Sequence, residues 1–411
     1  MSYHFREGFA AAAEAEAPAE PRPRAGWPIF WALAAAMFAF LVARDVAQTD
    51  WRTGSISGAA YWGRDFVNVW TSGAIALKHQ LAILYDVHAY RAFQTGLFGG
   101  GVAWHNYSYP PVTLLYTWVF ALLPYPLALA LWLGGTGGFF AWAARPYLRG
   151  AGLPAWLPLA APASLVNVWT GHYGFLIGGL WLTAFHLLPR RPAMAGVLIG
   201  LMVVKPHLAL LLPLVLLARR EGRAFAAAAA TVVGLVALSV LLFGWAPWAT
   251  WLTGTTRLQA GMVADVGTFF ITMMPTLTPA LATLGVPLAV AGAAQAVVAA
   301  GAILCLLKRL PEDPHRAALA AATATFLVLP YAFAYDMTVA GLGGLLLFRE
   351  SLAAPHPPAW RFAAGTAALL PIALLWFGAA HLPAAPPLLA FQLWALTRRP
   401  APFNGNSAAL P

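Results

Sequence analysis

The residues able to do chemistry are few, because only 9% of the 411 residues are Asp, Glu, Lys or Arg. Asp65 stands beside Arg64 in YWGRDFVNVW (61–70). A carboxylate among aromatics at the edge of a polar stretch is suited to take a proton from a hydroxyl acceptor as a general base. Partial burial would raise its pKa, and Arg64 would lower it. The plainer reading is a local ion pair with Arg64, or an N-cap on a helix starting at Phe66. Lys205 is sharper. It sits in the middle of GVLIGLMVVKPHLALLLPLVLLA (196–218), where an ammonium costs about 2.5–3.5 kcal/mol on insertion scales. Its four-carbon stem has far to snorkel, so it calls for a cavity or a counter-charge. A phosphate suits such a point charge, with His207 assisting and Arg257 as a second clamp.

Other candidates are weaker singly. Asn167 and His172, in NVWTGHYG (167–174), either bind a ligand or satisfy their own turn. Tyr109, in WHNYSYPPVT (104–113), walls a lipid chain or a sugar ring, or belongs to an interfacial aromatic belt. Pro110 and Pro111 fix an extended entry there. In YDVHAY (85–90) Asp86 reads as an N-cap, His88 as a surface residue, and Tyr85 as a lining candidate. Asp336, in YAFAYDMTVA (331–340), is either an N-cap or a second carboxylate of the same cavity. His105 has no partner at metal-ligand spacing. No Gly-rich phosphate loop, GxSxG, HExxH or CxxC is present. No cofactor is expected, and a divalent metal is left open.

These residues hang on an unusual chain. It is 61% hydrophobic, against about 45–50% apolar for a soluble domain. Apolar runs of about 15 to 27 residues recur from end to end, the mark of an all-α, multi-pass membrane bundle. The net charge of +10 comes from short clusters between runs: Arg145 with Arg149, Arg190 with Arg191, Arg219 to Arg223, Lys308 to Arg316, and Arg398 with Arg399. That is the positive-inside pattern. It is not a nucleic-acid stripe. The single cysteine, Cys305, excludes a disulfide within the chain.

Residues 1–26 read as a disordered cytoplasmic tail without a signal-peptide pattern. Residues 27–397 read as one membrane domain, and 398–411 as a second cytoplasmic tail. Runs at 27–43, 109–123, 125–144, 153–169, 173–189, 192–218, 223–244, 276–307, 316–331, 336–348, 361–378 and 384–397 give about ten to twelve membrane segments. The long interval 44–108 is expected outside, with surface helices over 66–79 and 86–97. Residues 245–275 form a second outside loop. With every basic cluster inside, 192–218 must enter and leave on one side, as two half-helices meeting at Pro206. Two apolar runs in 109–144 conflict with this, because with 145–149 inside the stretch should cross once or three times; either a piece near YPP is re-entrant, or 145–149 is an outside loop.

The chain resembles the integral-membrane glycosyltransferases of the C-type fold, and in particular glycosyltransferase family 87. The resemblance rests on GRDFVNVWTSGAIAL (63–77), LYDVHAYRAF (84–93), YSYPPVTLLYTWVFALLPYPLALALW (107–132), NVWTGHYGFLIGGL (167–180), RRPAMAGVLIGLMVVKPHLALLLPLVLLARR (190–220) and LPYAFAYDMTVA (329–340). It implies a plasma-membrane enzyme with its site facing the periplasm or outside. The enzyme would move a hexose, mannose foremost, from a polyprenyl-phosphate donor to a lipid or glycan acceptor, with inversion. Asp65 then maps onto the base, and Lys205-Pro206 onto a Lys-Pro pair at the donor phosphate. Asp336 matches the family's late Tyr-Asp; Arg64, placed to tune or orient the base, and Tyr85, Tyr109, Asn167 and His172 are expected with it as substrate contacts. The family's Gly-Gln or Gly-Asn turn is matched here by Gly171-His172. The rival reading is a lipid or solute transporter, which also uses a mid-membrane Lys and a broken helix. A non-catalytic envelope scaffold is a third. The long first loop with its Asp suits an acceptor-holding enzyme better than a transporter.

Overall fold

The computed structural model describes residues 26–57, 60–99, 105–265 and 267–398. Both tails expected from the sequence lie outside these residues, save Gly26 and Arg398. The first span is α1 (Gly26–Gln48), which leads into three two-residue antiparallel strands: β1 (Thr49–Asp50), β2 (Ser55–Ile56) and β3 (Ala60–Tyr61), in that order. The sequence reading foresaw helices in this loop and not the small sheet. Both helices are present, as α2 (Phe66–Leu77) and α3 (Val87–Phe98), but α2 is not the surface helix expected: nine of its twelve residues are buried, whereas in α3 only Tyr90 and Gln94 are. Asp86 caps α3 as expected, accepting from the amides of His88 and Ala89.

Next come α4 (Leu114–Ala121), entered through a 3-10 turn at Pro111–Thr113, and α5 (Tyr125–Leu148). Residues 153–170 form α6 (Leu157–Ala160) and α7 (Pro162–Thr170), broken at Ala161, which is extended (ψ 145°) as a residue before proline prefers. Then follow α8 (Gly174–Leu187), α9 (Pro192–Leu201), α10 (Leu212–Ala218) and α11 (Gly222–Phe243). The second loop contains a helix where none was expected, α12 (Ala246–Ala264). Its proline falls in the first turn, where a missing N–H costs nothing. The 276–307 run is also split, into α13 (Leu277–Ala282) and α14 (Leu288–Lys308), with Gly285 at φ 80° and Pro287 between them. The chain ends with α15 (Pro314–Val328), α16 (Thr338–Ala353), α17 (Pro358–Ala379) and α18 (Ala385–Thr397). Among the described residues, α1, α5, α11, α14 and α17 are each long and apolar enough to cross a membrane.

The basic clusters gather at one end of the bundle. Arg219 donates to the carbonyls of Pro311 and Glu312. Arg316 donates to Leu396 and Ala395. His186 and His315 share a hydrogen bond of 3.0 Å, and the Tyr147 ring lies 4.3 Å from that of His315. The last contact puts 145–149 at the same end as the other basic clusters. Residues 111–123 are too short to cross. They turn back to the first loop, where Trp70 donates to the Leu123 carbonyl and Tyr125 to that of Trp62. The 109–144 stretch therefore supplies one helix long and apolar enough to cross, α5.

The 192–218 run is two half-helices. Gly196 packs on Ala224 and Ala227, and Gly200 on Ala228 and Thr231. Both numberings rise together, so α9 and α11 run parallel, and the chain between them must return to its starting end. Small residues let the two backbones approach. The turning point is Lys205, at φ −144° and ψ 68°, immediately before Pro206.

Candidate active site

At the end away from the basic clusters lies a cavity of about 820 Å³. Its walls come from α2, residues 105–110, the hairpin tip at 204–207, α12 and residues 331–335. Its polar lining includes Asp65, Asn68, His105, Ser108, Tyr109, His172, Lys205, His207 and Asp265. Its aromatic lining includes Trp251, Phe270, Tyr331, Phe333 and Tyr335.

Asp65 occupies the N-cap position of α2, yet its side chain makes no capping bond. Among the described residues it also has no ion pair; the carboxylate is half-buried and faces the cavity. Its place is fixed through the backbone, because the Asp65 amide donates to the Thr170 carbonyl at 2.9 Å. Gly171 makes that approach possible. It takes φ 66°, and a Cβ there would meet the Gly63 carbonyl and the Phe66 side chain. Burial pushes the Asp65 carboxyl above its ordinary range, and the charges of His105, Lys205 and Arg64 draw it back in part.

Lys205 meets both of its expected conditions. It lines the cavity, and its Nζ donates to both oxygens of Asp336, at 2.6 and 2.7 Å. His172 Nδ1 lies 3.3 Å from the same Nζ. The amide of Tyr173 also donates to that Nδ1, at 2.8 Å. Two donors on Nδ1 assign the ring proton to Nε2, which donates to the Tyr109 hydroxyl at 2.7 Å. Tyr109 then keeps its own proton for another acceptor. The Tyr335 ring stacks on His172 at 3.9 Å and lies 5.0 Å from Nζ. Asp336 is neither of the things the sequence allowed. It caps no helix, and it is buried behind the cavity wall as the partner of Lys205.

Three further sequence candidates do not line the cavity. Arg64 takes a left-handed φ of 35° and bonds Asp45 at 2.6 Å, with its guanidinium 4.2 Å from the Trp169 ring. Trp169 Nε1 donates to the same carboxylate at 2.7 Å. Tyr85 donates to the Tyr109 carbonyl. Asn167 accepts from the Gly174 amide and so caps the start of α8. Arg257 lies on α12, a cavity-lining helix, but its side chain is outside the described residues. His207 lines the cavity with its ring 5.8 Å from that of Tyr331.

Sequence reasoning missed Asp45, Asn68 and Asp265. Asp45 is only 1% exposed at the end of α1, and an acid closing an apolar run was the available signal. Asn68 accepts from Tyr90 and sits one helical turn beyond Asp65. Among the described residues no group of three or more His, Cys, Asp or Glu has metal-site geometry.

A family model described as glycosyltransferase family 87 matches residues 107–334. The match covers Tyr109, His172, Lys205, His207 and Arg257, begins after Asp65 and ends just before Asp336. No curated protein and no solved structure matches the chain.

Proposed function

The chain belongs to glycosyltransferase family 87, and from that membership we propose that it moves a hexose, mannose foremost, from a polyprenyl-phosphate donor to a lipid or glycan acceptor. It is a membrane glycosyltransferase; the donor, sugar, acceptor and mechanism are the proposal. Asp65 is the general base. The acceptor hydroxyl attacks the anomeric carbon, and its proton passes to Asp65. The bond from that carbon to the phosphate oxygen breaks, and polyprenyl phosphate leaves with the electron pair. Attack opposite the leaving group inverts the centre. The phosphate needs no proton to depart, only positive charge held in place.

The observation that carries the reading is the state of Asp65. A carboxylate without cap or ion pair among the described residues, facing a cavity of small-molecule size, is poised to accept a proton. Lys205 supports the donor side. Asp336 and His172 fix its ammonium at the cavity wall before any substrate arrives. His207 and Arg257 are assigned to the same phosphate, the rings of Tyr331, Phe333 and Tyr335 to the sugar or the lipid, and the free proton of Tyr109 to a donor oxygen. Arg64, Tyr85 and Asn167 support the site from behind. The cavity lies opposite the basic clusters, which favours a plasma-membrane enzyme working at the outer face.

The test is transfer of radiolabelled mannose from polyprenyl-phosphate mannose to extracted membrane lipids, using the purified full chain. Wild type transfers label; Asp65→Asn, folded to the same melting temperature, does not. An active Asp65→Asn removes the base assignment. If no lipid-linked sugar serves, vesicle flux of lipid-linked substrates becomes the next assay.

A further inference from the structure

A second, smaller cavity of about 200 Å³ opens at the basic end of the bundle, far from Asp65. Its lining includes Trp142, Arg145, Arg149, Thr183 and His186, from α5 and its C-terminal extension and from α8. We propose that it binds the phosphate group of an anionic membrane lipid.

Several basic residues at this end are already engaged. Arg219 is spent on two carbonyls of the 311–312 turn. Arg316 is spent on two carbonyls of α18, with Glu350 3.9 Å away. Arg361 donates to the Ser351 carbonyl, and Arg398 covers Trp394. Arg145 and Arg149 are not spent in this way; nor, among the described residues, are the guanidinium groups of Arg190, Arg191, Arg220 and Arg223, but those do not line this cavity. Among the described residues neither the Arg145 nor the Arg149 guanidinium has a hydrogen bond, an ion pair or a ring partner, and no carboxylate lines their cavity. They stand four apart on one helical face, where like charges repel. The helix C-terminus favours positive charge, but that attraction needs no cavity between α5 and α8.

His186 adds direction. Its Nδ1 is occupied by His315. Its Nε2 has no partner among the described residues, which leaves it to the cavity. Two guanidinium groups and an imidazole nitrogen make a set suited to phosphate oxygens, while the Thr183 hydroxyl is already spent on the Gly179 carbonyl. The volume suits a phosphate group and not a whole sugar nucleotide. Trp142 decides between a free phosphate and a lipid. It is 53% exposed and stacked on Phe139 at 6.1 Å, as indoles sit at a membrane interface. A headgroup arriving from that leaflet reaches the arginines with its acyl chains still in the bilayer.

The experiment measures binding of tritiated phosphatidylglycerol to the purified full chain in neutral detergent micelles, with phosphatidylcholine and inorganic phosphate as the comparison ligands. Wild type should retain phosphatidylglycerol over phosphatidylcholine. The double variant Arg145→Gln/Arg149→Gln should lose about tenfold in that preference. The charge-matched control Arg190→Gln/Arg191→Gln, at the same end but outside the cavity, should lose less than about twofold. Arg145→Lys/Arg149→Lys keeps the charge and should retain part of the preference, which guards against misfolding of the Gln variant. Equal loss in the two Gln variants means general surface attraction and overturns the site. Equal retention of both lipids by wild type overturns it as well. Inorganic phosphate binding that depends on Arg145 and Arg149, without any lipid preference, overturns the lipid assignment.

Discussion

Asp65 and Asp336 look alike in the sequence and do opposite things in the fold. Each lies in a short polar stretch among aromatics, next to a helix start. Asp336 is buried and gripped by Lys205 through both oxygens. Asp65 is anchored through its backbone, and its carboxylate is left to the cavity. A partnered carboxylate holds two distant segments together, whereas an unpartnered one keeps its lone pairs for a substrate. The difference separates a residue of the fold from a residue of the reaction, and it can be broken or sharpened experimentally.

The largest effect is expected from Asp65→Asn. Loss of a general base should lower turnover about 10²–10⁴-fold, with melting unchanged or slightly raised. The sign follows from burial. A carboxyl pushed up in the folded state binds its proton more tightly there than in the unfolded chain. Its contribution to stability therefore falls as pH rises between the two values, and the neutral amide removes that cost. A clear fall in melting temperature would erase the contrast with Asp336.

Next in size is Asp336→Asn, or Lys205→Met. Each leaves an unpaired buried charge or a broken pair, a loss of about 3–5 kcal/mol, read by thermal unfolding in detergent. The double variant Lys205→Met/Asp336→Leu should recover much of the stability and little of the activity. A pH profile sharpens the comparison further. The acid limb of kcat/KM should lie above the ordinary carboxylate value of 3.8, because burial raises Asp65, and it should vanish from the residual activity of Asp65→Asn. The smallest effect is expected from Tyr85→Phe, which removes one bond to the Tyr109 carbonyl. About 1 kcal/mol of stability and a modest rise in KM should follow.

Much of the site was legible because charge is scarce in this chain. Lys205 stood out in an apolar run, and the half-helix break at Lys205-Pro206 followed from basic clusters on both flanks together with a proline. Its partner was not legible, since Asp336 is 131 residues away and local pattern offers only a cap or a cavity wall there. Arg64 misled for a geometric reason. Adjacency to Asp65 suggested a pair, but a left-handed backbone at Arg64 sends its side chain to Asp45. The helix of 246–264 was hidden by composition, because Trp and Thr in a short amphipathic stretch read as loop. The α2 and α3 helices were readable from periodicity, and the sheet between α1 and α2 was not, since two-residue strands carry none.

The distance between Lys205 and Asp336 also sets a clock. A ribosome adding roughly 5–20 residues per second needs on the order of ten seconds to make the intervening chain. For that interval the hairpin tip carries an ammonium without its carboxylate. The newborn protein must shelter Lys205 in water, at a headgroup or in the insertion machinery until the last third of the chain arrives. Assembly of the cavity wall is therefore a late event, and a chain truncated before Asp336 should hold its tip open.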